Sequence, residues 1–153
     1  MTVMISLDGV LRTETGDPIH TGLKLFRTLL MTYRVGVATD GTLEEAEHWL
    51  RSNLLTGHAE IYTNALAFEG QDLRLRQLSI AKVNGEVELF IDSDVDRCAA
   101  ALNSGVPVIL FASPKFVRTK RKIKPWSHIK DEITAQRELT AQMLLDGPLD
   151  RWE

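Results

Sequence analysis

Three short stretches of this sequence put oxygen-bearing side chains where they could do chemistry. Ser6-Leu7-Asp8-Gly9, Thr39-Asp40-Gly41 and Asp92-Ser93-Asp94-Val95-Asp96 each follow an apolar run. Carboxylates that converge on one spot repel each other unless a cation joins them. Hard oxygen donors with few imidazoles nearby favour Mg2+ over zinc, which makes Asp8, Asp92 and Asp96 the candidate metal ligands. A Thr39 hydroxyl beside a helix N-terminus suits a phosphate oxygen, and Asp40 stands next to it. Each stretch also has a plainer use. Asp94 or Ser93 can simply cap a helix, Thr39-Asp40 can be turn chemistry, and Asp-Gly is a common turn. The pattern gains weight because all three recur in order, each at the end of an expected strand.

The elements that must position them alternate along the chain. Thr2 to Ser6 reads as a first strand, followed by a loop with Gly9, Gly16 and Pro18. Leu23, Phe26, Leu29 and Leu30 fall at helical spacing between about Thr21 and Tyr33. Arg34 to Ala38 is a second strand. Thr42 with Glu45 three residues on is a capping-box signature opening the next helix. A short strand spans Ala59 to Tyr62, and a helix from about Gln71 to Val83 stops at Asn84-Gly85. Val87 to Ile91 and Val106 to Phe111 are apolar strands flanking a helix from Asp94 to Asn103. Strands alternating with helices of about 10–15 residues imply a parallel sheet covered on both faces. In such sheets ligands bind at the carboxyl ends of the strands. The expectation is an α/β, Rossmann-like three-layer fold with five parallel strands and an extra C-terminal helix.

Composition narrows the class. The chain has 153 residues, 44% hydrophobic and 25% charged, with a net charge of −3. That suits one domain with its own core. No apolar run approaches the ~20 residues of a membrane-spanning helix, and the start carries no secretory leader pattern. A single cysteine, Cys98, leaves no internal disulfide and no cysteine zinc site. His20, His48, His58 and His128 form no ligand spacing. Cys98 is expected as a small buried residue, and Trp49 as core.

The three motifs together resemble the haloacid dehalogenase (HAD) superfamily, mostly Mg2+-dependent phosphatases. Val3-Met4-Ile5-Ser6-Leu7-Asp8-Gly9 matches its first motif, Val35-Gly36-Val37-Ala38-Thr39 its second, and Leu89-Phe90-Ile91-Asp92 with Asp96 its fourth. The resemblance covers about residues 1–112, the expected core domain, with 113–153 as a basic link and helix. It implies phosphoryl transfer through a phosphoaspartyl intermediate, with Mg2+ as cofactor, Asp8 as general acid/base and Thr39 and Asp40 near the phosphate. It also implies a third-motif base on the helix before the fourth motif. Arg74, Arg76 and Lys82 are candidates, with Arg76 the residue chosen. Only a loop and one helix separate the first two motifs, which leaves no room for a cap domain. The wording Asp-Gly-Val-Leu-Arg and the helix around Trp49 also resemble small HAD-like proteins of actinobacterial phages. That implies a cytoplasmic or virion-associated protein.

One departure outweighs the matches. The family's nucleophilic aspartate corresponds to Ser6. A serine hydroxyl is a weak nucleophile without an adjacent base, and it is a poorer Mg2+ ligand than a carboxylate. The expectation is therefore a domain that has lost phosphatase activity, with weakened Mg2+ affinity and a binding, structural or host-interaction role. The alternative is an atypical Mg2+-dependent phosphohydrolase with an open site, using direct water attack with Asp8 as base. Beyond Phe111, Lys115 to Lys124 is basic, and the plainer reading is a solvated loop, so nucleic acid is not expected as a partner. Ser127 caps a helix to about Leu145. Trp126, Trp152 and the Met143-Leu144-Leu145 cluster are the expected surface for a protein partner or for self-association.

Overall fold

The computed structural model describes residues 2–113, and residues 133–135, 137–139 and 141–142, which are helical. The basic stretch from Lys115 to Lys124, Trp126, Ser127, Met143 to Leu145 and Trp152 lie outside the described residues. Five strands, β1 (Thr2–Ser6), β2 (Arg34–Ala38), β3 (Glu60–Tyr62), β4 (Val87–Asp92) and β5 (Val108–Leu110), alternate with four helices. These are α1 (His20–Leu30), α2 (Leu43–Ser52), α3 (Leu73–Asn84) and α4 (Val95–Asn103). Every strand pair is parallel, in the order β3-β2-β1-β4-β5. The fold is the expected Rossmann-like α/β fold.

The chain runs outward from β1 to β3, then crosses back to lay β4 on the other side of β1. Right-handed crossovers therefore put α1 and α2 on one face and α3 and α4 on the other. The two cores show this division. Leu23, Phe26, Ala46 and Leu50 pack with Val3, Ile5, Val35 and Val37 on one face. Leu78, Ala81 and Ala101 pack with Met4, Phe90 and Val106 on the other. Each fully buried large apolar side chain contributes about 1.5–3 kcal/mol. The sheet reverses direction at β1, so the ends of β1, β2 and β4 meet at the switch point where this fold class places ligands.

Local chemistry sets the element limits. β5 is shorter than its apolar run because Pro107 has no N–H to add to the ladder; its carbonyl instead accepts from Phe90 N at 2.9 Å. Thr42 caps α2 by accepting from Glu45 N at 3.3 Å. The reciprocal half of the expected capping box is replaced, because the Glu45 carboxylate pairs with Arg12. Asp94 caps α4 by accepting from Arg97 N, and Asp72 caps α3 by accepting from Leu75 N. Between β1 and β2 lie only the loop from Leu7 to Ile19 and α1, with no inserted domain. Gly22 lets α1 sit directly on that loop: a Cβ there would lie 1.8 Å from the Val10 carbonyl oxygen.

Candidate functional site

The loop after β1 is built as part of the core. Leu7, Val10 and Leu11 are buried, and Leu7 N donates to Ala38 O at 2.7 Å, tying the loop to the end of β2. Gly9, at φ 93°, makes the turn that brings Arg12 back beside Asp8. Trp49 reaches across from α2, and its Nε1 donates to Gly16 O at 2.8 Å. Trp49 was expected as core. It is half-buried and packs against the core on this face, and it also clamps the loop with the Arg12 guanidinium 5.7 Å from its ring centre.

Asp8 stands at the centre of this edge, and both of its carboxylate oxygens are engaged. Oδ1 accepts from Arg12 Nε at 2.8 Å. Oδ2 accepts from the Thr39 hydroxyl at 3.1 Å and from the Asp40 amide at 3.0 Å. Arg12 in turn holds Glu45 with its two terminal nitrogens. Burial pushes the Asp8 pKa up, but the Asp40 amide and the Arg12 and Arg74 charges outweigh it and hold it below the usual aspartate value. The buried Thr39 hydroxyl also accepts from Gly41 N at 3.1 Å. The donors expected to hold a phosphate thus hold the Asp8 carboxylate.

Arg74, not Arg76, is the base on α3 that faces this edge. Arg74 is fully buried, with Nη2 3.0 Å from Asp40 Oδ1 and 3.9 Å from Asp8 Oδ2. Its Nη1 donates to Gln77 Oε1 at 2.6 Å. The Gln77 amide nitrogen donates to the carbonyls of Thr39, Tyr62 and Thr63, fixing Arg74 against the ends of β2 and β3. Arg76 points elsewhere, donating to Leu66 O at 2.8 Å and lying over the Phe68 ring. The two are separated by the helix period: residues two apart on a helix face in different directions. Periodicity gave no reason to favour one, since α3 has Leu73, Leu75 and Leu78 spread around it.

Asp92 ends β4 and is buried, with Oδ1 accepting from Ser93 N at 2.8 Å. Its Oδ2 has no hydrogen-bond partner among the described residues; Arg97 Nη1 lies 3.9 Å away. Burial raises the Asp92 pKa, against the opposing pull of Arg74, the Ser93 amide and Arg97. Ser6 is fully buried at the end of β1, and its Oγ is also without a hydrogen-bond partner among the described residues. Arg97 crosses from α4 to Asp72, the cap of α3, at 3.1 Å and links the two helices. Cys98 is buried as expected, with Sγ 3.6 Å from Asp92 O, and burial pushes its thiol up to about 12.

Asp96, the remaining candidate ligand, lies exposed on the first turn of α4. Among the described residues, no three Asp, Glu, His or Cys side chains gather so as to hold a metal ion. The side chains present do not fit the Mg2+ that the HAD resemblance implies: the first carboxylate position holds the neutral Ser6, the Asp8 carboxylate is engaged, and the buried Arg74 cation lies beside Asp8 and Asp40, which leaves Asp92 and the Asp8 backbone carbonyl as the donors the resemblance implies. Nothing local in the sequence announces the pairing of Arg12 with Glu45, of Arg74 with Asp40 or of Arg97 with Asp72, because these partners lie 33, 34 and 25 residues apart. No family model matches the chain, and no curated protein matches it.

Proposed function

We propose that this chain is a HAD-like domain whose phosphoryl-transfer site has become a structural anchor, and that it works by binding a protein partner. One observation carries the reading: the Asp8 carboxylate fills the donor set of Thr39 and Asp40 that a phosphate would need. A general acid is useful when its pKa is raised towards the working pH; that of Asp8 is lowered. The Ser6 hydroxyl at the nucleophile position is fully buried, out of reach of a substrate. Arg74, at the start of the helix before β4, fits the third-motif place that the resemblance implies, and here its charge is spent on Asp40 and Asp8. The partner is a host protein or a virion component if the likeness to actinobacterial phage proteins holds. Exposed Met31 and Leu54, each just past a helix end on the opposite edge of the sheet, offer apolar contact area.

The test is phosphate release from an aryl phosphate with Mg2+, comparing wild type, Ser6→Asp and Asp8→Asn. Wild type at the uncatalysed background is the expected result. Turnover by wild type that Asp8→Asn abolishes would overturn the reading and establish an atypical phosphohydrolase instead.

A further inference from the structure

The carboxyl edge gathers Asp8, Asp40 and Asp92 from the ends of three adjacent strands, β1, β2 and β4. Asp92 is buried, Asp8 partly buried and Asp40 exposed; like charges converging from adjacent strand ends repel, and are screened least where water is excluded. The counter-charge here is covalently attached. Arg74 is fully buried and reaches Asp40 at 3.0 Å and Asp8 at 3.9 Å. It is not free to swing away, because Gln77 grips its Nη1 and is itself held by three backbone carbonyls. Three further polar atoms, Arg74 Nε, Ser6 Oγ and Asp92 Oδ2, are buried there without a hydrogen-bond partner among the described residues. They belong to side chains at most 1% exposed.

We propose that Arg74, seconded by Arg12 at Asp8, is the resident cation of this edge: its guanidinium does the charge balancing between Asp8 and Asp40 that a divalent metal would otherwise do, so the site assembles and stays assembled without metal. Ser6 fits this arrangement. An aspartate there would add a fully buried carboxylate to an edge whose guanidiniums, Arg74 and Arg12, are already committed to Asp40, Asp8 and Glu45, whereas the neutral hydroxyl adds no charge. Arg97 contributes at the margin, 3.9 Å from Asp92 but committed to Asp72. The inference rests on the HAD-like reading only for the expectation of a metal; its argument is the placement of Arg74.

Thermal melting of the full chain at pH 7 tests it, with EDTA or with several millimolar MgCl2. Wild type should melt within about 1 °C in the two conditions. Arg74→Met should melt lower by several degrees in EDTA, since it removes the fully buried guanidinium that holds Asp40 and Asp8, whose side chains are 54% and 25% exposed. It should recover part of that loss in Mg2+. Ser6→Asp should become Mg2+-dependent, melting several degrees higher with the metal. A wild-type melting point that rises by 3 °C or more in Mg2+ and falls back in EDTA overturns the proposal, as does an Arg74→Met protein as stable as wild type. If Arg74→Met does not fold, Arg74→Lys, which keeps the charge, decides: a melting point indifferent to Mg2+ supports the proposal, and a Mg2+-dependent one overturns it. The melts and the phosphate assay fail separately. A metal-free phosphatase would sink the binding role alone, and a Mg2+-stabilised, inactive protein would sink this proposal alone.

Discussion

Replacing Arg12 by methionine keeps an apolar stem in the core and removes the guanidinium that joins β1, its loop and α2. Three contacts go with it. The bond to Asp8 at 2.8 Å joins side chains 8% and 25% exposed, so it is a partly desolvated charge-assisted hydrogen bond worth about 1.5–3 kcal/mol. The forked pair to Glu45 adds at most about 1 kcal/mol, because Glu45 is 48% exposed and regains water when released. The Trp49 ring contact adds about 0.5–1 kcal/mol. The expected loss is about 2–5 kcal/mol at pH 7, or a melting point lower by roughly 4–20 °C for a chain of this size. The pH dependence gives a second check. The folded pKa of Asp8 is lowered, so its stabilising contribution is complete above its ordinary value near 3.8 and is lost as pH falls through the lower folded value. The gap between wild type and Arg12→Met should therefore be full at pH 5–7 and shrink below about pH 4, where Asp8 takes up its proton. Urea denaturation across that range measures it. A gap under about 0.5 kcal/mol at pH 7, or one that persists undiminished at pH 3, would refute the account of Asp8 as an anchored carboxylate.

Three other substitutions probe the same construction. Gly22→Ala should cost about 2–4 kcal/mol in denaturant unfolding, because its Cβ would meet the Val10 carbonyl at 1.8 Å, backbone against backbone. Gln77→Met should cost about 2–3 kcal/mol, since it leaves carbonyls at the ends of β2 and β3 without their buried donor and frees Arg74. Asp92→Asn should leave stability unchanged or raise it by up to about 1 kcal/mol at pH 7. The folded pKa of Asp92 is raised, so the neutral form is favoured: that contribution is present below pH 3.8 and lost as pH rises through the folded value. The benefit of Asn over Asp should accordingly vanish in acid, as melting curves at pH 3 and pH 7 would show.

The local signals in the chain were strong where the physics is local. β1 and β2 have the limits read from their apolar runs, and Thr42 and Asp94 cap the helices that their residue types announce. The parallel sheet followed from the alternation of strands and helices, since parallel neighbours need a crossover between them. The ends of strands β1, β2 and β4 could be picked out for the same reason. What stayed hidden was pairing at long range. Glu45 looked like half of a capping box, yet its carboxylate serves Arg12, 33 residues earlier. Arg74 and Arg76 look alike in sequence, and only the rotation of α3 against the sheet puts one beside Asp40, 34 residues away, and the other over Phe68. Asp96 resembles a fourth-motif acid by spacing and is exposed on the first turn of α4.

The central claim is that Asp8 is an anchored anion and not a proton carrier. An NMR titration of its side-chain carboxyl carbon in the wild-type protein tests this most directly. The account predicts a midpoint below the ordinary aspartate value of 3.8, moving upward in Arg12→Met. A wild-type midpoint well above that value, approaching neutrality as a general acid requires, would contradict it.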